Sequence, residues 1–268
     1  MVLETAFFCP QALASMAWSF SSLDVGTAEP LMDAISAQAI AKLRYFGAAA
    51  LANTLWSYAA LSIADFPLLD AISSASLPMI SEFEAQDLSN SAWAFARLRC
   101  SPSEPLLHAI SEASINSISE LSSQSLANSA WSFARFGVRD MPLLEAIAAE
   151  SIRKISVELP SPLLTSFAWA YAVLACCHGP LLDSIASAAI THISPFNALE
   201  LANLAWSMSA LRFRNRPLLP AISSSALAMS SEFGPGEIAN TAWAFAQIRF
   251  CDHPLLDSLA AMALARIL

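Results

Sequence analysis

Hydrophobic positions along this chain alternate between two helical patterns from one end to the other. On one face of a helix predicted over residues 105–121, apolar side chains recur at intervals of three and four, interrupted once by serine: Leu107, Ile110, Ser114, Ile118 and Leu121. Over residues 124–137 apolar side chains surround nearly the whole helix, so this segment needs neighbours on most sides. Together the two segments predict a helical hairpin with an amphipathic outer helix and an apolar inner helix.

The tryptophans mark the period of this hairpin. Each lies in a similar phrase, such as LANTLWSY or LANSAWSF, and successive tryptophans are 38, 37, 38, 38, 37 and 37 residues apart. They are Trp18, Trp56, Trp93, Trp131, Trp169, Trp206 and Trp243. A proline-leucine pair opens the next helix 11 or 12 residues later. A fixed period of this length is typical of repeat proteins whose units stack on their neighbours.

We therefore predict an all-α protein: a right-handed α-solenoid of about seven hairpins of 37–38 residues, forming a single repeat domain over residues 1–268. Inner helices are predicted near 11–23, 49–62, 86–100, 124–137, 162–176, 198–213 and 236–250. Outer helices are predicted near 30–45, 67–83, 105–121, 142–158, 180–194, 217–232 and 254–268. Neither end has the polar outer face of a capping repeat, so we expect the array to continue or its ends to pair with another chain.

The composition is unusually apolar, with 56% hydrophobic and 13% charged residues. The longest uninterrupted candidate for a membrane span, residues 163–177, is shorter than the roughly 20 residues that a spanning helix needs, so we predict no membrane insertion. The net charge of −9 disfavours indiscriminate binding of phosphate backbones by the whole molecule. Five cysteines without C-x-x-C spacing indicate thiols in a reducing compartment.

The sequence offers little support for catalysis. The histidines have neither metal-ligand spacing nor a matched nucleophile: His108, His178, His192 and His253. Neither G-x-x-x-x-G-K-[ST] nor G-x-G-x-x-G is present. We therefore expect no enzymatic activity, cofactor, metal site or small-molecule substrate.

Two residue types in the repeated phrase have both a structural and a ligand-binding interpretation. The tryptophans could stack on unpaired bases, but their position on the most apolar helix favours core packing. An asparagine three residues before tryptophan could bind a base edge. Since it is the same in most copies, a hydrogen-bonded ladder between repeats is favoured. These are Asn53, Asn90, Asn128, Asn203 and Asn240, with Ser15 and Ser166 in the other two copies.

Arginines cluster where the inner helices end. Eight of the thirteen basic residues lie there or in the following link: Arg97, Arg99, Arg135, Arg139, Arg212, Arg214, Arg216 and Arg249. Equivalent positions of stacked repeats share an edge, so we predict a basic strip that contacts phosphates. The alternative is a cation at each helix C-terminus, paired with the acid that opens the next helix. That alternative suits Arg97 and Arg135, but three arginines within residues 212–216 exceed what capping needs.

Some positions differ between copies, as sequence preference would require. On this ground we predict a role in base preference for six residues: Asn116, Arg153, Lys154, Thr191, His192 and Gln247. The alternative is neutral variation on a solvated surface. If these residues do face a ligand, one base per repeat predicts a footprint of about seven nucleotides.

The phrase L-A-N-[ST]-x-W-[AS]-[FY]-A, preceded by P-L-L, resembles the octotricopeptide repeat over essentially the whole chain. It is also similar to the leucine-rich repeats of FAST-kinase-like proteins, which often accompany a RAP domain, although the sequence has none of the kinase motifs. This resemblance implies an organelle RNA-binding factor, in the mitochondrial matrix or chloroplast, that acts on RNA processing, stability or translation. Residues 1–18 show no targeting peptide, so location depends on the resemblance alone.

The preferred hypothesis is a solenoid that binds single-stranded RNA, alongside other proteins of an organelle ribonucleoprotein. The alternative is a protein-interaction scaffold of the armadillo or HEAT type. The net charge of −9 favours a scaffold mildly, and its partner would carry a basic segment.

Overall fold

The computed structural model describes residues 8–23, 29–155 and 159–267. Within these ranges the chain forms fourteen α-helices and three short 3-10 segments, with no strand. The inner helices are α1 (Pro10–Ser22), α3 (Ala48–Ala60), α5 (Ala85–Arg97), α7 (Ser123–Phe136), α9 (Ser161–Val173), α11 (Ala198–Ala210) and α13 (Pro235–Ile248). The outer helices are α2 (Glu29–Lys42), α4 (Phe66–Ser76), α6 (Glu104–Asn116), α8 (Met141–Ile155), α10 (Gly179–Thr191), α12 (Leu218–Ala228) and α14 (His253–Ile267).

The helices begin close to the predicted positions, but several end earlier than the hydrophobic pattern suggests. The outer helix predicted over 67–83 ends at Ser76, and Leu77–Glu82 continues as a 3-10 segment. Pro78 lacks the N–H of a regular helical hydrogen bond, which accounts for this change. The inner helix predicted over 86–100 ends at Arg97 because the chain turns there. The expectations about an N-terminal cap and a targeting peptide involve residues 1–7, which lie outside the described ranges.

Contacts divide the chain into two compact units, residues 1–136 with 140–143, and residues 137–139 with 144–268. In the first unit α1, α3, α5 and α7 pack side by side as an inner layer, against which α2, α4 and α6 form an outer layer. In the second unit α9, α11 and α13 form the inner layer, with α10, α12 and α14 outside. Each unit is a stack of helical hairpins, as expected for the α-solenoid that the period predicts.

The core contains an aromatic side chain two positions after tryptophan in most repeats. Phe95, Phe133 and Phe245 are fully buried there, as are Tyr58 and Tyr171. The Tyr58 hydroxyl donates a hydrogen bond to the Met32 carbonyl, and the Tyr171 hydroxyl donates one to the Leu144 carbonyl. Burial raises the pKa of both hydroxyls far above the ordinary value, so they remain protonated donors. These bonds join an inner helix to the outer helix that precedes it.

Among the described residues, no helix combines the length and the apolar character that crossing a bilayer requires.

Candidate functional site

Six inner helices end in the same kind of turn: α3, α5, α7, α9, α11 and α13. In each turn, the residue six positions after the tryptophan adopts the left-handed backbone conformation. The φ angles are 59° at Ser62, 55° at Arg99, 70° at Gly137, 49° at Ala175, 54° at Arg212 and 57° at Arg249. After α5, the N–H of Arg99 donates to the Ala96 carbonyl at 3.3 Å, and that of Cys100 donates to the Phe95 carbonyl at 3.0 Å. This is a Schellman turn, where glycine is usual because a Cβ makes the conformation unfavourable by about 1–2 kcal/mol. Arginine occupies this unfavourable position in three of the six turns.

In the first unit, two of the predicted arginines line a surface cleft between the ends of α5 and α7. The cleft measures about 340 Å³ and is bordered by Ala96, Arg99, Ser101, Arg135 and Phe136. Beside it, Arg97 Nε donates a 3.0 Å hydrogen bond to the Ala59 carbonyl at the end of α3. The structure thus brings Arg99 and Arg135 together, as the shared edge of stacked repeats predicts, whereas Arg97 is directed to the end of α3.

In the second unit, an equivalent cleft of about 400 Å³ lies between the ends of α11 and α13. Its polar lining consists of Arg212, Arg214, Gln247 and Arg249. Arg216 is exposed but does not border this cleft. Arg139 borders neither cleft. Its positive charge acts on the buried thiol of Cys176 and opposes the rise in the pKa of that thiol that burial causes. The same positions of the repeat therefore form a basic cleft in each unit.

The eight arginines are exposed and lack acidic partners among the described residues. None of the eight has a guanidinium nitrogen within 4.0 Å of a carboxylate oxygen in these ranges. The ion pairs found there involve other residues: His108, Arg153, Lys154 and His178. The alternative, in which these arginines pair with the acid that opens the next helix, is therefore not met in this part of the chain. Their charge remains available to an anionic ligand.

The tryptophans are not in the core, which corrects the expectation from their apolar surroundings. Trp18 is 50% exposed and Trp243 is 44% exposed, and the other five are half-buried. The buried positions are the small residues around them, such as Ala92 and Ala94, each 0% exposed beside Trp93. The inner helices approach each other through these small residues, and the large ring covers the side of the layer that no other described helix occupies.

Two pairs of tryptophans in neighbouring repeats lie against one another, one pair in each unit. The ring centroids of Trp56 and Trp93 are 6.5 Å apart with an interplanar angle of 28°, and those of Trp206 and Trp243 are 6.4 Å apart with an angle of 30°. The guanidinium of Arg97 lies 5.6 Å from the ring centroid of Trp93, a cation–π contact. Arg135 lies 5.7 Å from that of Trp131.

The asparagines do not form the predicted ladder. All five are half-buried, and no hydrogen bond joins their side chains between repeats in the described ranges. Asn128 Oδ1 instead accepts from Gln124 Nε2 of its own helix at 2.9 Å. The asparagine position, tryptophan and the position four residues after tryptophan share one helix face. Each inner helix therefore presents an indole and a variable residue on its uncovered side, and five of the seven add an amide. We call this the tryptophan face.

Of the six residues expected to influence base preference, only Gln247 lies in an arginine cleft. Asn116, Thr191 and the others lie at or just beyond the C-terminal ends of outer helices. Because consecutive helices of a hairpin run antiparallel, these ends are opposite the ends that carry the clefts. There Thr191 and His192 line a groove of about 580 Å³ between α8 and α10.

Arg153 and Lys154 are already engaged in ion pairs. Each places a side-chain nitrogen 3.2 Å from a carboxylate oxygen of Glu150, whose side chain is only 5% exposed. These two cations compensate a buried charge on their own helix, so they are less available to a ligand than the cleft arginines.

The tryptophan face was missed from sequence because a large apolar ring was taken as the sign of the buried side. The better signal is the run of alanine, serine and threonine around it. Ser57 and Ser132 are 0% exposed, and their hydroxyls donate to carbonyls of their own helices at 2.7 and 2.6 Å. Small residues with internally satisfied hydroxyls indicate close helix packing.

Two comparisons bear on the identity of the chain. The family model described as RNA-editing substrate-binding complex 6 protein matches residues 5–178. A search of curated proteins finds no match. In the part of the chain that the structure describes, no group of three histidine, cysteine or acidic side chains is arranged to hold a metal ion. Since the matched segment covers more than half of the sequence, the chain belongs to the RNA-editing substrate-binding complex 6 protein family.

Proposed function

We propose that this chain binds single-stranded RNA, with phosphates contacting the arginines at the ends of the inner helices. The observation that carries the proposal is the repeated basic cleft, formed by Arg99 and Arg135 in one unit and by Arg212, Arg214 and Arg249 in the other. The name of the matching family refers to an RNA-editing substrate-binding complex, which supports RNA as the ligand.

The chemistry of the clefts suits a phosphate backbone. A guanidinium offers a planar set of donors that matches phosphate oxygens, and its positive charge needs no proton at neutral pH. The net charge of −9 weakens attraction elsewhere on the protein, so binding is directed to these local clusters. Backbone strain at Arg99, Arg212 and Arg249 supports a functional reason for arginine there, because glycine would form the same turn without strain.

The biological role follows from occupancy rather than catalysis. A protein that covers a transcript segment shields it from nucleases or keeps it unpaired, and it needs no reactive side chain. On the resemblance of the tryptophan phrase to octotricopeptide and FAST-kinase-like repeats, we place this action in an organelle, the mitochondrial matrix or chloroplast. Its partners would be RNA and other proteins of a ribonucleoprotein.

The test replaces Arg99, Arg212 and Arg249 with glycine. This removes three charges and relieves three strained residues, so a loss of binding does not come from unfolding. Affinity for a single-stranded oligonucleotide, measured by fluorescence polarisation, should fall about 10- to 100-fold at moderate salt. The slope of log affinity against log salt should become shallower by about 2.

Ser62→Gly with Ala175→Gly is the matched control, because both residues occupy the same left-handed position without a charge. This variant should bind RNA as the wild type does. Equal affinity and salt slope in the arginine variant would refute the proposal. If partners captured from an extract persist after ribonuclease treatment, the scaffold alternative gains instead.

A further inference from the structure

We infer that the tryptophan face is a second subsite, on which the unpaired bases of the same RNA strand stack. The inference deepens the proposed function and rests on it: the arginine clefts hold phosphates, and the indoles hold bases. Aromatic side chains beside a basic groove are the usual means by which proteins bind single strands with little sequence preference.

The exposure of the rings is the first observation. None of the seven tryptophans is buried, although the aromatic residues two positions later, such as Phe95 and Phe133, are 1% exposed. An indole that only stabilised the fold would gain more by full burial, since about 25 cal/mol is gained for each Å² of apolar surface removed from water. The ring surface exposed by Trp18, Trp56, Trp93, Trp206 and Trp243 is thus available to a planar ligand.

The arrangement of the rings is the second observation. Trp56 with Trp93, and Trp206 with Trp243, form contiguous aromatic surfaces with interplanar angles of 28° and 30°. Because the same position of each stacked repeat contributes a ring, consecutive bases of an extended strand would meet equivalent surfaces.

The connection to the clefts is the third observation. Arg135 lines the cleft between α5 and α7, and its guanidinium also lies 5.7 Å from the ring centroid of Trp131. Arg97 contacts Trp93 and is held in place by its bond to the Ala59 carbonyl. A nucleotide whose phosphate enters the cleft would therefore have an indole within the reach of its base.

The asparagines add polar groups to the same face. Each amide offers two donors and an acceptor, and in the described residues only Asn128 of the five makes a side-chain bond to another side chain, Gln124. Such amides can bind base edges. Since the amide is shared by most copies, the face should distinguish unpaired from paired strands better than one base from another.

The experiment uses Trp93→Leu with Trp206→Leu, which keeps apolar volume but removes the aromatic faces. The probes are an oligouridylate and an abasic oligomer with the same ribose-phosphate backbone and length. The wild type should bind oligouridylate more tightly than the abasic oligomer. Affinity of the leucine variant for oligouridylate should fall about 10-fold or more, since stacking contributes roughly 1–3 kcal/mol per base. Its affinity for the abasic oligomer should be unchanged.

Two further variants separate stacking from other effects. Trp93→Phe with Trp206→Phe should recover most of the affinity, because phenylalanine retains an aromatic face. Phe66→Leu changes an aromatic residue that is 57% exposed at the start of α4, away from the tryptophan face, and should bind both probes normally. Thermal melting of the leucine variant checks that its fold is retained.

The inference is overturned if the leucine variant loses affinity for both probes equally or for neither. If the variant with glycine at Arg99, Arg212 and Arg249 nevertheless loses RNA binding, phosphate binding by the arginine clefts is supported without base stacking on the tryptophan face. If an apolar peptide quenches the tryptophan fluorescence and oligouridylate does not, the face is a peptide site and base stacking is ruled out.

Discussion

The ends of α5 and α9 share a backbone conformation but differ in the chemistry they present to solvent. After each of these helices the backbone turns at a residue in the left-handed conformation, Arg99 with φ 55° and Ala175 with φ 49°. In both, the next residue donates to the carbonyl five positions earlier, at 3.0 Å from Cys100 and 2.8 Å from Cys176. Burial raises the pKa of both of these thiols, so the environment after the turn is also alike.

The difference lies in two side chains. Four residues after tryptophan, α5 carries Arg97 and α9 carries Val173, and at the turn itself Arg99 stands where α9 has Ala175. Since α9 forms the same turn without any charge, arginine is not needed to end an inner helix. The backbone of the turn is therefore common to the repeats, whereas the charge is found in particular repeats only and needs a separate explanation. We propose phosphate binding as the explanation for this charge.

The largest effect is expected from reversing charge in a cleft of the second unit. Arg212→Glu with Arg214→Glu replaces two attractive groups with two repulsive ones, so affinity for single-stranded RNA should fall about 100-fold or more at moderate salt. Polarisation titrations would measure this loss. Arg44→Glu with Arg266→Glu makes the same change in net charge outside the clefts. Equal losses in the two variants would mean that net charge alone governs binding.

A smaller effect, of opposite sign, is expected from giving α9 the arginines of α5. Val173→Arg with Ala175→Arg should raise affinity about 3- to 10-fold and steepen the salt dependence by about 1, because two new phosphate contacts become possible. Val173→Gln with Ala175→Gln adds length without charge and should leave the slope as it is. An unchanged slope in the arginine variant would show that the strand does not pass the end of α9.

The smallest effects concern the turn itself. Gly137 has φ 70°, and beyond its chain neighbours no atom lies within 4 Å of the point that a Cβ would occupy. Gly137→Ala should therefore destabilise the fold by about 1–2 kcal/mol through backbone strain alone. Ala175→Gly should stabilise it by up to about 1 kcal/mol for the converse reason. Urea denaturation followed by circular dichroism would measure both. Opposite signs would indicate that the turns do not share the conformation described.

The arginines show how far sequence reasoning reached at the site. Their position after each inner helix predicted a common edge, and the structure places Arg99 with Arg135 and Arg212 with Arg249 in clefts. Sequence spacing could not separate these from Arg139, which borders neither cleft. It also could not show that Arg153, expected to influence base preference, pairs with Glu150. Such distinctions depend on which residues of other helices lie nearby.

The tryptophans show where reasoning from the sequence failed. Apolar residues around nearly the whole inner helix favoured core packing of the tryptophans. Among the described helices, however, an inner helix within a layer packs against the inner helices beside it and against the outer layer, which leaves one side uncovered. That side carries the indoles. Hydrophobicity alone does not reveal which side stays open when alanine and serine mediate the close contacts.

The repeat period and the helical hydrophobic patterns were sufficient to establish an all-helical array, because each hairpin can bury its apolar face only against the next. They also located the turns and the arginines that follow them. Tertiary packing alone decided which face of each inner helix stays uncovered, which arginines converge and which cations already have partners. These outcomes depend on distances between residues about 38 positions apart, and a period describes the repetition of residues without describing the space between them.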